Sequence, residues 1–251
     1  MSNPRDSLYD LRMFLTTDYS CSYLPDRLAR NLVADDHNDT EDIFVRDLAG
    51  ETTTRVSVSS SGAEGNGPSR QPSLSADGTV VAFESDASNL VDGDTNGLTD
   101  VFVHYVLLDE TVLVSIPADG SAATQADGWS GHPVISADGR FVAFETDASN
   151  LILADTNGQR DVAVRDLVGG VTMLVSVSST GFAGLGDSSN PAIDGNGHYV
   201  AFESAATDLV DGDTNGWRDI FLRDLQAART VRISQVAAGS GNGETIFTGG
   251  H

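Results

Sequence analysis

The chain repeats itself, and the repeat limits what it can fold into. Asp42-Ile-Phe-Val-Arg46 returns as Asp100-Val-Phe-Val-His104, Asp161-Val-Ala-Val-Arg165 and Asp219-Ile-Phe-Leu-Arg223, at spacings of 58, 61 and 58 residues. A second column, Val81-Ala-Phe-Glu84, recurs as Val142-Ala-Phe-Glu145 and Val200-Ala-Phe-Glu203. A third reads Val56-Ser-Val58, Val114-Ser-Ile116, Val175-Ser-Val177 and Ile233-Ser-Gln235. Pro72, Pro133 and Pro191 each open a short segment closing on Asp77-Gly78, Asp138-Gly139 or Asn196-Gly197. Agreement across separate columns excludes coincidence.

Each unit holds four short runs in which Val, Ile and Phe alternate with polar residues, separated by Asp-Gly or Gly-Gly turn pairs. None has helical periodicity. A β-solenoid needs shorter repeats, and a sandwich does not repeat its sequence. The pattern therefore predicts an all-β chain, a β-propeller of about four four-stranded blades. The first unit starts near Asn31 and lacks its first two runs, so the first blade is incomplete. Residues 8–16, the tail Glu244-Thr-Ile-Phe-Thr248 or another chain are the candidates to fill it. Unfilled, the gap would leave strand edges open to self-association.

Pro133-Val-Ile-Ser-Ala-Asp-Gly-Arg-Phe-Val-Ala-Phe144 and Asp94-Thr-Asn-Gly-Leu-Thr-Asp-Val-Phe-Val103 resemble the TolB-type or WD-like propeller repeats of bacteria. The resemblance covers residues 32–236. It implies a scaffold for binding and transfers no catalytic residues.

Charge narrows the partners. With 37 acidic residues, 14 basic ones and a net charge of -23, the surface repels phosphate backbones and anionic lipid, so neither nucleic acid nor a membrane surface is expected. All the basic residues are Arg. One Cys, Cys21, excludes an internal disulfide and a thiolate-rich metal site.

Residues 1–31 differ from the rest. Their four acids and four Arg balance, they hold the only Cys, and they lack the repeat columns, which predicts a boundary between 1–31 and 32–251. Cys21-Ser-Tyr-Leu-Pro25 and Arg27-Leu-Ala-Arg30 resemble the start of bacterial arginyl/leucyl-tRNA–protein transferases, with Asp26 where that family has Gly. Nothing like the acyl-transfer domain follows. The alternative function is thus an inactive fragment or fusion related to that transferase. No export signal opens the sequence, whereas calcium-type loops and lysine-free acidity suit a periplasmic or extracellular setting.

Acidic loops between the second and third strands carry the functional signal. Asp92-Gly-Asp94-Thr-Asn96-Gly-Leu98-Thr-Asp100 and Asp211-Gly-Asp213-Thr-Asn215-Gly-Trp217-Arg-Asp219 place side-chain oxygens at positions 1, 3, 5 and 9 and Gly at 6. The spacing is that of the first nine positions of an EF-hand loop, with a carbonyl from Leu98 or Trp217 at position 7. The bidentate Glu at 12 is missing. In placing Asp-x-Asp-x-Asn-Gly-x-x-Asp before a strand, the loops resemble the calcium loops of integrin-type propeller blades. The third loop, Asp155, Asn157 and Asp161, has Leu153 at position 1. The first, Asp36, Asn38 and Asp42, has Ala34 there and Asp39 in place of Gly. Weaker Ca2+ binding is expected in those two. Ordinary turns also favour Asp, Asn and Gly, but they do not require carboxylates at both ends.

Other repeated residues suit structure better. Arg46-Asp47, Arg165-Asp166 and Arg223-Asp224 suggest inter-strand salt bridges, and Glu84, Glu145 and Glu203 suggest structural hydrogen bonds. Trp129 and Trp217 are loop aromatics. The expectation is a non-catalytic binding or assembly module. Its protein or glycan ligand would sit on the face that carries the acidic loops.

Overall fold

A computed structural model describes residues 13–17, 32–117, 125–152, 155–236 and 239–240, and no helix occurs among them. The first sheet has three strands, β1 (Met13–Thr17), β2 (Ile43–Asp47) and β3 (Thr52–Arg55). Three antiparallel four-stranded blades follow. The second blade is β4 (Ser69–Leu74), β5 (Val80–Ser85), β6 (Asp100–Tyr105) and β7 (Glu110–Leu113). The third is β8 (Ser130–Ile135), β9 (Phe141–Thr146), β10 (Asp161–Asp166) and β11 (Val171–Leu174). The fourth is β12 (Ser188–Ile193), β13 (Tyr199–Ser204), β14 (Asp219–Asp224) and β15 (Arg229–Arg232). A short hairpin, β16 (Gln235–Val236) with β17 (Gly239–Ser240), comes last.

Strand order within each blade is sequential, the up-and-down meander of a propeller blade. β1 pairs antiparallel with β2, with Thr17 opposite Ile43, which is the place Glu84 takes opposite Val101 in the second blade. It packs against β4 as β5 packs against β8 and β9 against β12. Residues 13–17 thus supply the second strand that the first repeat lacks. The segment 244–248 lies outside the described residues, as do the transferase-like residues 21–30.

The central strands of blades two and three are buried on both faces because each of these blades has a neighbour on either side. Phe83 and Phe102, both fully buried, stack at 5.9 Å within the cluster joining blades one and two, which also holds Ile43, Val45 and Leu90. Phe144 and Leu151 from blade three meet Val101 and Val103 of blade two in the next cluster. Phe202, Phe221 and Leu209 meet Val162 and Val164 in the last. On β9, Val142 and Phe144 face one neighbour while Ala143 faces the other, the period-2 alternation of a strand.

The inner strands of blades two, three and four each carry a bulge. Register shifts fall between Arg70 and Ser73, Gly131 and Val134, and Ser189 and Ala192. Gln71, His132 and Asn190 there adopt left-handed φ of 52°, 50° and 54° immediately before the repeated prolines. Proline has no N–H to give the ladder, so a bulge is where it fits inside a strand. The freed N–H of His132 donates to Glu84 Oε2 of the preceding blade at 2.8 Å, and that of Asn190 to Glu145 Oε1 at 2.8 Å. Glu84 and Glu145 thus make the structural hydrogen bonds expected of them, while Glu203 lies 4.0 Å from Arg218.

The Arg-Asp column works differently from the expected inter-strand salt bridge. Arg46, Arg165 and Arg223 donate to Thr53, Thr172 and Thr230 on the adjacent outer strand at 3.0, 2.9 and 3.0 Å. Asp47, Asp166 and Asp224 turn back to accept backbone N–H groups of the next turn, such as Gly169 at 2.9 Å and Ala227 at 2.8 Å. Two jobs at successive residues replace an ion pair within each Arg-Asp unit, because neighbouring side chains on a strand point to opposite faces. In the third blade Asp166 is instead paired with Arg140, just ahead of β9, through contacts of 2.9 and 2.7 Å.

Phe144 is fully buried between two blades, so Phe144→Ala is expected to cost about 3–5 kcal/mol. Denaturant unfolding with an unchanged m-value would check it.

Candidate cation-binding loops

All four acidic loops adopt one hydrogen-bonded turn. The position-5 amide donates to the position-9 carboxylate: Asn38 to Asp42 at 3.0 Å, and Asn96 to Asp100, Asn157 to Asp161 and Asn215 to Asp219 at 2.8 Å each. The same side chain accepts the backbone N–H two residues on, from Thr40, Leu98, Gln159 and Trp217, closing an Asx turn. Position 6 is left-handed, at φ 69° for Gly97, 64° for Gly158 and 71° for Gly216. Asp39 takes φ 57° in the first loop, a conformation costly for a residue with a Cβ.

Position 9 is pinned from the other side. Ser57, Ser115, Ser176 and Ser234 donate to Asp42, Asp100, Asp161 and Asp219 at 2.5–2.6 Å. Each serine oxygen also accepts the N–H of the residue after the aspartate, at 3.1, 3.0, 3.1 and 2.9 Å. The aspartates are fully buried. Burial pushes the Asp42, Asp100 and Asp161 carboxyls up, Asp161 to about 6, and the serine and asparagine bonds oppose that rise.

Position 3 approaches the same point. Asp94, Asp155 and Asp213 are buried. Asp94 is pushed up to about 6 by burial and then by the charge of Asp100. Asp155 is raised by burial and in turn repels Asp161. The position-1 residues Asp92 and Asp211 are exposed, as are Leu98 and Trp217 at position 7. Each loop thus brings together positions 3, 5 and 9. Among the described residues no group of three or more His, Cys, Asp or Glu forms a metal-ligand set, and Leu153 lies outside them.

Two loops contain their own cation. Arg232, at the end of β15, places Nη1 2.7 Å from Asp213 Oδ1 and 3.2 Å from Asp219 Oδ2, with all three side chains buried. Arg55, at the end of β3, places Nη1 3.5 Å from Asp36 Oδ1, 3.7 Å from Asp42 Oδ2 and 2.8 Å from Glu64 Oε2, the last an ion pair out of line for a hydrogen bond. The residues at the matching strand ends of blades two and three are Leu113 and Leu174. The arginines lie outside the loop motif, which is why loop composition does not reveal them. An alignment column of Arg55, Leu113, Leu174 and Arg232 is the signal that would have done so.

A second cluster lies at the junction of blades two, three and four. His132 Nδ1 is 3.0 Å from Glu145 Oε1, which raises the His132 pKa, chiefly through that hydrogen bond. Arg160 holds Asp147 through two contacts of 2.8 Å and lies over the Trp129 ring at 4.4 Å. Trp129 therefore packs on its own blade's charge network.

No protein-family model and no curated protein matches the chain. Among solved structures it is similar to a protein described as TolB from Agrobacterium tumefaciens, with 16% identity over 77% of this chain and 56% of that one and a TM-score of 0.48. It is also similar to TolB from Acinetobacter baumannii, with 17% identity over 80% and 38% of the two chains and a TM-score of 0.46. The β-propeller domain of the Trilobed protease from Pyrococcus furiosus gives 8% identity over 77% and 48%, with a TM-score of 0.44. The chain thus spans about half or less of each structure's length.

Asp94 and Asp161, held near pH 6 against an ordinary 3.8, bind protons more tightly folded than unfolded. Their contribution to stability is complete below pH 3.8 and lost as pH rises through about 6. Metal-free protein should therefore show less fall in melting temperature from pH 4.5 to 7 when Asp94 is replaced by Asn. In a separate test, Ser115→Ala should cost about 1–3 kcal/mol, because Asp100 and the Val101 N–H both lose a buried partner.

Proposed function

We propose that the chain is a non-catalytic β-propeller module that binds a protein partner on its acidic-loop face, with hard cations of the calcium type bracing that face. The supporting observation is where exposed apolar side chains meet acidic loops. Connections from second to third strands and from one blade to the next emerge at the same end of the blades. That end carries Phe182 and Leu185, 74% and 73% exposed, with Trp217 at 49% and Leu98 at 36%. Leu185 N–H donates to Asp208 of the neighbouring blade at 2.9 Å, so the segment that presents these side chains is anchored. Large apolar groups on a fixed backbone among carboxylates suit a partner that offers both apolar and basic side chains.

The carboxylates on the second strands favour binding over catalysis, since Glu84 and Glu145 are engaged by backbone N–H groups of the next blade. The face repels polyanions. The transferase-related alternative rests on residues 14–30, of which only 14–17 are described.

Peptide display against the folded chain tests this reading, with the Phe182→Ser, Leu185→Ser and Trp217→Ser triple variant for counter-selection. Peptides rich in Arg, Lys and apolar residues should bind the native chain at least tenfold more tightly than the variant, and should be recovered with unchanged mass. Equal binding to both proteins would remove the loop-face assignment. Cleaved or modified peptide would remove the non-catalytic one.

A further inference from the structure

We propose that blades two and three each hold an exogenous divalent cation of the calcium class, between Asp94 and Asp100 and between Asp155 and Asp161, where blades one and four hold the guanidinium groups of Arg55 and Arg232. The inference deepens the cation-braced reading of the loop face by assigning two sites among four similar loops.

The fourth blade shows what the turn is built to accept. There one oxygen, Asp219 Oδ2, receives both the Asn215 amide at 2.8 Å and Arg232 Nη1 at 3.2 Å, while Asp213 Oδ1 takes Nη1 at 2.7 Å. The amide and a positive charge therefore share the position-9 carboxylate without conflict, since each oxygen has two lone pairs. The asparagine is a fixed part of the turn, and the charge between positions 3 and 9 is the variable part.

In blades two and three the turn is retained and the arginine is not. Leu113 and Leu174 cannot compensate a carboxylate. The third blade shows the consequence at one atom: Asp155 is 9% exposed, and its Oδ1 is buried without a hydrogen-bond partner. Such an orphaned acceptor is destabilising, more so when it carries charge. The second blade shows it as space. An open pocket of about 210 Å³ lies beside Asp94; Asp92, Thr111 and Gln125 line it together with the apolar Val91, Val112, Leu113 and Ile116, so it reaches the site from the Asp94 side, and Asp100 does not line it. That volume holds an ion together with several waters. Calcium accepts mixed sets of carboxylate, carbonyl and water oxygens in loose geometry, whereas magnesium demands a near-ideal octahedron.

The two kinds of blade therefore predict opposite behaviour on substitution. The test uses the full chain, stripped with a chelator, and reads melting temperature and titration calorimetry against calcium chloride, with magnesium chloride as control. Two calcium ions should bind. The melting temperature should rise with the logarithm of calcium concentration, by roughly 6–11 °C for the two sites together at ten times the dissociation constant. Asp94→Asn and Asp155→Asn should each remove one ion, whereas Asp213→Asn should leave both. Leu113→Arg should remove one ion and raise the metal-free melting temperature, a result that a merely damaged protein would not give. Absence of a calcium-dependent shift in the native chain would overturn the proposal. Loss of binding in Asp213→Asn but not in Asp94→Asn would do the same. Peptide binding measured in chelator keeps the two readings apart: if it persists while calcium has no effect, only the cation assignment fails.

Discussion

A buried aspartate held by a serine fifteen residues later organises every blade. The aspartate starts the third strand and the serine follows the fourth, so their bond ties the two ends of the outer hairpin together at the loop face. The serine hydroxyl donates to the carboxylate and accepts the next backbone N–H, so three polar groups are satisfied where water is excluded. The acidic turn is built outward from this point. Its asparagine reaches the same carboxylate, and the position-3 aspartate is drawn in beside it. Burying a carboxylate is costly, and the bonds around it offset that cost only in part, as the raised Asp161 carboxyl records.

The architecture was legible because each of its parts repeats. Asp-x-Phe-Val, Val-Ala-Phe-Glu and Val-Ser-Val mark the third strand, the second strand and the clasp serine, and spacing alone orders them. The bulge was half legible: the prolines at 72, 133 and 191 mark it, but the left-handed residue before each is Gln, His or Asn and shares no chemistry that a column would show. The filling of the first blade by residues 13–17 was one of several options, since Met13–Thr17 matches none of the repeat columns.

The loops were legible as turns and only partly as sites. Oxygen spacing along a loop counts ligands in one dimension, whereas the charge between positions 3 and 9 comes from a residue 13 positions after the loop ends, on another strand. Two loops with identical spacing, the second and the fourth, differ because one faces Leu113 and the other Arg232. The chain's use of Arg for every basic residue fits this chemistry. A planar guanidinium reaches two carboxylates at once and carries a weaker hydration shell than an ammonium, so its burial costs less.

The glutamate that grips the bulge of the following blade gives the molecule a direction. Blade two offers a carboxylate to blade three, and blade three offers one to blade four, so both of these junctions join unlike surfaces. Contacts of that kind add head to tail and define a rotation per step rather than a total. Blade number is then set by how many copies the gene encodes and by how the last meets the first. Duplicating or deleting one 58–61-residue unit leaves each remaining junction unchanged, and such a lineage can change its circumference without inventing a new interface.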